Sequence, residues 1–226
     1  MKPVLFIFLV ICCTNAHAQS DGTKDTLLFE DNFSTALNTS NWLIEKQNAD
    51  SEIVVARNGK LLIDTYGGAT IWYKKELQGN IRITYKRKVI VVGGKNDRLS
   101  DLNQFWMATD PNGKMFTRQG GFTAYDSLNM YYVGMGGNYN KTTRFRKYHA
   151  GDKKIIQEFA DSLHLLHANK VYYIEIIVKD GTIQFSVDGT LYFSWKDEKP
   201  FTHGYFGIRS TRSRQEVDDV KIFHLN

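Results

Sequence analysis

The sequence predicts an all-β fold, a two-sheet antiparallel jelly-roll sandwich, and three observations carry the prediction. Aromatic residues make up 13% of the 226-residue chain, as 14 Phe, 12 Tyr and 4 Trp. They sit in short runs mixed with Val, Ile and Thr, which is strand chemistry. Apolar and polar residues alternate in Ile81, Ile83 and Tyr85 against Arg82, Thr84 and Lys86, and again in Ile183, Phe185 and Val187 against Gln184, Ser186 and Asp188. A period of two marks a strand with one buried face. Third, Asn58-Gly59, Asp180-Gly181 and Asp188-Gly189 stand between apolar runs, and such pairs tolerate the positive φ that a tight hairpin needs. Many short strands with almost no helix make a sandwich or jelly roll.

In chain order, Lys2, the apolar run Val4 to Cys13 and the small-x-small triplet Ala16-His17-Ala18 predict a secretory signal at residues 1–18. The expected domain is then a single jelly roll over 19–226, exported to the periplasm or beyond. The apolar run is shorter than the about 20 residues a spanning helix needs, so no membrane span is expected. Ile11 and Cys12 precede the two cysteines where lipidation asks for a small residue, so no lipid anchor is expected. Cleavage after Ala18 removes Cys12 and Cys13, the only cysteines, which excludes a disulfide scaffold, a thiolate metal site and a cysteine nucleophile.

The polar loop from Asn96 to Asn103 runs straight into Gln104-Phe105-Trp106-Met107. Loops that feed strands are where sites are built. Asp101 and Asn103 are therefore read as substrate contacts, beside two other readings: loop-structuring hydrogen bonds, and a structural calcium ion held by Asp97, Asp101 and backbone carbonyls. The spacing departs from that of a calcium loop, and no other metal is expected. Tyr131, Tyr132, Gly134, Gly136 and Gly137 form a strand that loses its side chains toward Asn138. Glycines in a strand mark a bulge or a close approach by another group.

From Lys141 to Lys154 six basic residues accompany one acid, Asp152. In an extended strand Thr142, Arg144, Arg146 and Tyr148 share one face, and Thr143, Phe145 and Lys147 the other. Two guanidinium forks one strand-step apart suit capture of a carboxylate or sulfate on an acidic sugar; a solvated basic strand is the alternative. Lys154 to His167 places Ile155, Phe159, Leu163 and Leu166 near helical spacing and is the one predicted helix. The last strands put Tyr205, Gly207, Arg209 and Thr211 on one face, with His203 at the strand mouth as a possible acid or base. Ile81, Ile83, Ile174, Ile176, Phe185, Val187, Phe206 and Ile208 are predicted to point inward.

Three segments carry a family likeness: Asp97 to Pro111, Tyr131 to Asn138 and Thr142 to Arg146. They resemble a family of secreted bacterial domains of unknown function in the concanavalin A-like lectin/glucanase superfamily, and the likeness runs from Phe29 to Arg209. It implies a jelly roll in a setting of polysaccharide degradation, distantly similar to sandwich domains found beside rhamnogalacturonan lyases. Laminarinase-like relatives carry Glu-x-Asp-x-(x)-Glu on one strand, and no such spacing occurs here. A retaining glycosidase needs two carboxyl groups about 5 to 5.5 Å apart; Glu216 and Asp218 are the one same-face pair with that spacing, read as a solvated edge.

The expected function is action on an acidic polysaccharide or its oligosaccharides. An enzyme is expected over a carbohydrate-binding module, because a polar loop, a glycine strand and a double-Arg strand are all elaborated. Without a carboxylate pair, β-elimination on a uronic acid is the simplest chemistry, and a hydrolase acting on an unusual glycoside is the remaining enzymatic reading. The catalytic residues would be Arg144 and Arg146, neutralising the sugar carboxylate, with Tyr132 or His203 as the base. Asp101, Asn103, Trp106, Tyr131, Asn138, Thr142 and Arg209 would contact substrate. No organic cofactor is expected, and the small excess of basic residues argues against nucleic acid.

Overall fold

The computed structural model describes residues 25–48 and 51–226, so the predicted signal at 1–18 lies outside the described residues. Short strands follow one another along the chain: β1 (Thr26–Asp31), β2 (Trp42–Lys46), β3 (Ile53–Arg57), β4 (Lys60–Thr65), β5 (Ala69–Tyr73), β6 (Leu77–Gln78), β7 (Ile81–Ile90) and β8 (Leu102–Thr109). The second half adds β9 (Asn129–Gly136), β10 (Thr142–His149), β11 (Asp152–Phe159), β12 (Val171–Lys179), β13 (Thr182–Val187), β14 (Thr190–Lys196), β15 (His203–Ser210) and β16 (Ser213–His224).

These strands form two antiparallel sheets. The back sheet runs β14-β13-β12-β7-β16-β4-β3, with β1 paired to the C-terminal half of β16. The front sheet runs β11-β10-β9-β8-β15-β5-β2, with β6 beside β15. The three predicted hairpin dipeptides join β3 to β4, β12 to β13 and β13 to β14. Both residues of each have positive φ, for example 53° and 67° at Asn58 and Gly59, the type I′ geometry whose twist matches the flanking strands. All eight residues predicted to point inward are buried in the one core between the sheets.

The predicted helix at Lys154 to His167 does not form. Residues 152–159 are the edge strand β11, paired with β10, and only Ser162–His164 make a short 3-10 turn. The apparent helical spacing came from Ile155, which is exposed, and from Phe159, which stacks on His164 at 3.7 Å and on Phe193 at 5.2 Å. Pairing to β10 satisfies the backbone that a helix would otherwise have satisfied.

The front sheet is buried on both faces over much of its area. Trp106, Tyr131, Val133, Phe145, Phe206 and Ile208 fill the core side. On the outer side Trp72, Phe105, Met130, Tyr132 and Tyr148 form a second apolar cluster with Tyr125 and Leu128, against which Phe116 and Phe122 pack. These last four belong to the segment 110–128, which leaves β8 and folds back over the sheet. An Arg118–Asp110 ion pair of 2.7 Å, almost closed to solvent, ties the segment together. Buried Glu45 ties it down, accepting from Arg118 N at 2.7 Å and from the Tyr125 hydroxyl at 2.8 Å.

Candidate functional site

The hairpin registers of the front sheet set two rows of residues side by side on its outer face. One row reads Thr70, Arg209, Asn103, Gly134, Arg144, and the next reads Trp72, Gly207, Phe105, Tyr132, Arg146. Neighbours within a row sit about 4.7 to 4.9 Å apart, the strand spacing, and the rows about 7 Å apart. Beyond Phe122, where the cover of the 110–128 segment stops, the face stays open as a cavity of about 190 Å³. Asp101, Asn103, Tyr132, Asn138, Thr142, Arg144 and Arg146 line it with Phe122, Gly134, Gly137 and Thr211. Seven of the eleven site residues expected from sequence are thus brought to one hollow.

The glycines explain the hollow. A Cβ on Gly134 would fall 2.2 Å from the Tyr132 hydroxyl and 2.8 Å from Asn103 Oδ1, so a bare backbone here gives the floor on which those two groups meet. The Tyr132 hydroxyl donates to Asn103 Oδ1 at 3.1 Å. A Cβ on Gly136 would strike Leu166. The close approach that the glycines permit is therefore made, at these two positions, by the protein's own side chains.

The cations differ in how far they are committed. Arg144 is ion-paired with Glu158, its cross-strand partner on β11. Arg146 rests over the Tyr132 ring at 5.6 Å, and no carboxylate among the described residues pairs with it. Asp101 is held by Arg98 and accepts from the Ser100 hydroxyl at 3.0 Å; Asp97 accepts from Val92 N and Gly94 N and pairs with Arg214. Among the described residues no group of three or more His, Cys, Asp or Glu is arranged to hold a metal.

Two more guanidinium groups lie close by, Arg209 beside the hollow under the 110–128 segment and Arg87 beneath its floor. Arg209 is fully buried, donating to Gly120 O (2.6 Å), Thr70 Oγ1 (3.1 Å) and Thr211 Oγ1 (3.0 Å), and its charge lies 5.2 Å from the ring centres of Phe122 and Tyr125. Arg87 reaches across the core from the back sheet, donating to the carbonyls of Asn103 (2.6 Å) and Arg209 (3.1 Å) and to Gln215. Burial pulls the Arg87 pKa down to about 10 and lowers that of Arg209 as well. Neither cation has an ion-pair partner among the described residues. Unpaired buried charge is costly, and here it lies behind Asn103 and beside Tyr132.

Four of the expected site residues stand elsewhere. Trp106 and Tyr131 are fully buried on the core side of the sheet, one residue out of phase with Phe105 and Tyr132, so neither can face a ligand in the cavity. The Tyr131 hydroxyl instead donates to Asp197 at 2.6 Å. Arg209 points to the expected face but is roofed by the 110–128 segment. His203 is exposed, its Nδ1 within hydrogen-bond distance of Glu76 Oε1 at 2.7 Å, and six residues from Arg209 along β15, about 20 Å at strand rise.

Tyr132, expected as a base, is the harder to deprotonate for its surroundings. Burial pushes its phenol well above the ordinary tyrosine range, outweighing the opposite pull of Arg146 and Arg209. Glu216 and Asp218 lie on the open outer face of the back sheet, not on an edge, since β16 has neighbours on both sides. Each is matched to a lysine, Lys88 at 2.7 Å and Lys60 at 3.2 Å.

A larger hollow of about 460 Å³ lies between β10, β11 and the end of β14, lined by Lys147, His149, Trp195, Asp197 and Lys199 among others. Its inner cation is already matched, Lys147 Nζ meeting Asp197 at 2.5 Å and Lys199 O at 2.7 Å. Sequence reasoning missed Phe122 and Thr211 in the smaller cavity, and Arg98, Tyr66, Tyr139 and Arg212 beside it. Arg98 sat in a loop already singled out; Tyr66 and Tyr139 carry no local signal.

A family described as "Domain of unknown function (DUF6250)" matches residues 63–220. Among solved structures, the chain is similar to a protein of unknown function with galectin-like fold from Bacillus subtilis, at 16% identity and a TM-score of 0.71 over 89% of this chain and 97% of that one. The carbohydrate binding module CBM66 from Bacillus subtilis matches at 13% identity and a TM-score of 0.58, covering 81% and 95% of the two chains. An endo-beta-1,3-glucanase from Pyrococcus furiosus matches at 13% and 0.62, covering 89% and 95%. These likenesses bear out the jelly-roll fold that the sequence resemblance implied. No protein of curated function matches.

Proposed function

This chain belongs to the DUF6250 family, and we propose that it is a carbohydrate-active protein that takes an acidic sugar unit into the cavity between Asn103, Tyr132 and Arg146. One observation carries the reading: a hollow lined by amide, phenol and hydroxyl groups, and by the Asp101 carboxylate that Arg98 already pairs, has four further guanidinium groups beside and beneath it, of which only Arg144 is ion-paired. A bound carboxylate would supply the missing negative charge, and in a partly dry site a charge-assisted bond to Arg146 is strong and directional. Two structural neighbours, a carbohydrate binding module and a glucanase, support a saccharide ligand.

The grip on carboxylate is tested at Arg146. Arg146→Ala is expected to weaken binding of a uronate oligosaccharide by about 1.5 to 3 kcal/mol, or roughly ten- to a hundredfold, and to leave a neutral glycan unaffected. Arg146→Lys should recover only part, since a point charge does not replace the planar fork. Equal calorimetric affinity of the wild type for acidic and neutral glycans would overturn the proposal. Rhamnogalacturonan, pectate and alginate fragments make the first panel.

If the bound uronate is cleaved, the reaction is β-elimination. A base removes the C5 proton, its electron pair forms the C4–C5 double bond, and the C4–O bond breaks with its pair leaving on the oxygen, which takes up a proton. Arg146 and Asn103 would hold the carboxylate as charge builds on it, each worth about 3 to 4 kcal/mol if well aimed, and Tyr132 is the phenol in place to act as base. Its raised pKa fixes the sign of the pH dependence. Below the pKa the phenolate fraction falls tenfold per unit, so turnover should climb about tenfold per pH unit from neutrality to at least pH 10. Product absorbance, with Tyr132→Phe as the blank, reads this directly; a plateau below about pH 9 would assign the base elsewhere.

The binding-module reading is favoured by the same observation from its other side. Tyr132 is buried, protonated and donating to Asn103, a state that orders a ligand without attacking it. Saturable binding of uronate oligomers with no unsaturated product at any pH would decide for that reading.

A further inference from the structure

At the mouth of the cavity, next to Asn138 and Thr211, the chain carries two exposed tyrosines interleaved with two arginines. Tyr139 is 69% exposed and Tyr66 52%. The Arg98 guanidinium lies 5.1 Å from the Tyr139 ring centre. That of Arg212 lies 4.7 Å from the Tyr66 ring and donates to its hydroxyl at 2.7 Å, with Tyr139 as its other aromatic neighbour. The strip is bolted to the cavity: Arg98 donates to Thr211 O at 2.7 Å and to Arg212 O at 2.9 Å, and it pairs with Asp101. Asp101 and Thr211 are themselves cavity residues.

The backbone under Tyr139 has the wrong hand. Asn138, Tyr139 and Asn140 have φ of 55°, 59° and 59° in succession, a left-handed turn that L-residues normally visit one at a time. Asn tolerates this conformation through its short polar side chain; Tyr has no such excuse. The turn is held by Asn140, whose side chain accepts from Leu166 N at 2.8 Å and donates to Leu166 O at 2.9 Å. A bulky residue is thus kept in a disfavoured conformation and left in solvent, where it gains little packing in return. Strain of this kind gathers at ligand clamps.

We propose that Tyr139 and Tyr66, flanked by Arg98 and Arg212, are further subsites, so that the protein holds an acidic glycan chain of several units and prefers it to a single sugar. The apolar face of a pyranose packs on an exposed phenol ring, while Arg212, which no carboxylate among the described residues pairs with, meets the anionic groups that recur along such a chain. The inference rests on the acidic-sugar reading of the cavity and extends it along the surface. It commits to an oligosaccharide because the strip is continuous with a cavity sized for one unit and carries cations at each aromatic step.

The decisive variant is Tyr139→Gly. Glycine accepts the left-handed turn freely, so the ring is removed without straining the fold, and thermal stability should hold or rise. Calorimetry against size ladders of galacturonate, mannuronate and glucuronate oligomers, from monomer to hexamer, gives the readout. The wild type should bind longer members of one ladder more tightly. Tyr139→Gly should lose about tenfold for the hexamer and leave the monomer unchanged, and adding Tyr66→Ala should remove the rest of the gain. Length-independent affinity in the wild type would overturn the extended strip while leaving the cavity reading intact. So would an equal loss for monomer and hexamer in Tyr139→Gly. Failure of every ladder to bind the wild type at any length would overturn the cavity reading, and the strip with it.

Discussion

Trp106→Ala is expected to cost about 3 to 5 kcal/mol of folding stability, the usual loss for truncating a large buried aromatic, and to leave glycan affinity unchanged wherever the variant is folded. The indole is fully buried between the sheets. It stacks on Phe145 at 6.0 Å and 13° and on Phe185 at 6.4 Å and 17°, with Tyr131 at 6.0 Å. Phe145 lies in the front sheet and Phe185 in the back one, so Trp106 joins the two layers. Its removal opens a cavity that close-packed rings cannot collapse to fill, and the cavity term adds to the lost transfer energy. Denaturant titration gives the stability and calorimetry at low temperature gives the affinity. The opposite pattern, stability kept within about 1 kcal/mol and affinity lost, would mean that β8 is one residue out of register and that Trp106 faces ligand.

That choice between Trp106 and Phe105 marks where sequence reading stopped. A strand half in water writes its parity into the sequence, and β10 is legible for this reason: Phe145 is apolar, Arg144 and Arg146 are charged, and the two arginines are correctly placed on one face. A strand covered on both sides does not alternate. In Gln104-Phe105-Trp106-Met107 and in Tyr131-Tyr132-Val133 both faces are apolar, because the 110–128 segment roofs the outer side, and nothing local says which aromatic looks inward. The same roof hides Arg209, whose face was read correctly and whose exposure was not. It also raises the Tyr132 pKa by burial, reversing a sign that neighbouring arginines alone would have set. Hairpins were legible since two adjacent residues decide them, whereas the distance of His203 from the cavity depends on the antiparallel path of β15 across the whole sheet.

The roof itself hangs on one carboxylate, and Glu45→Ala is expected to cost about 3 to 5 kcal/mol, the sum of the hydrogen bonds whose donors it would strand. Glu45 Oε2 accepts from the Trp72 indole at 2.8 Å and from the Tyr125 hydroxyl at 2.8 Å, and Oε1 accepts from Arg118 N at 2.7 Å. Alanine takes the acceptor from two buried donors, the Trp72 indole and the Tyr125 hydroxyl, and from the partly buried Arg118 N, each costing about 1 to 3 kcal/mol where water cannot reach it. Glu45→Gln keeps the shape but turns an N–H toward at least one of those donors, so it should fall between. Tyr125 and Phe122 cover Arg209, and Phe122 is a wall of the cavity, so loosening the segment should also weaken uronate binding although Glu45 does not line the site. Denaturant titration reads the first effect and calorimetry the second, while trypsin should cut faster at Lys114 and Arg118 as the segment lifts. A loss under about 1 kcal/mol with unchanged proteolysis would show that ring packing alone holds the roof. Glu45→Ala that keeps its stability yet loses uronate affinity would instead make Glu45 a direct ligand group, in a cavity reaching further under the segment than Phe122 now allows.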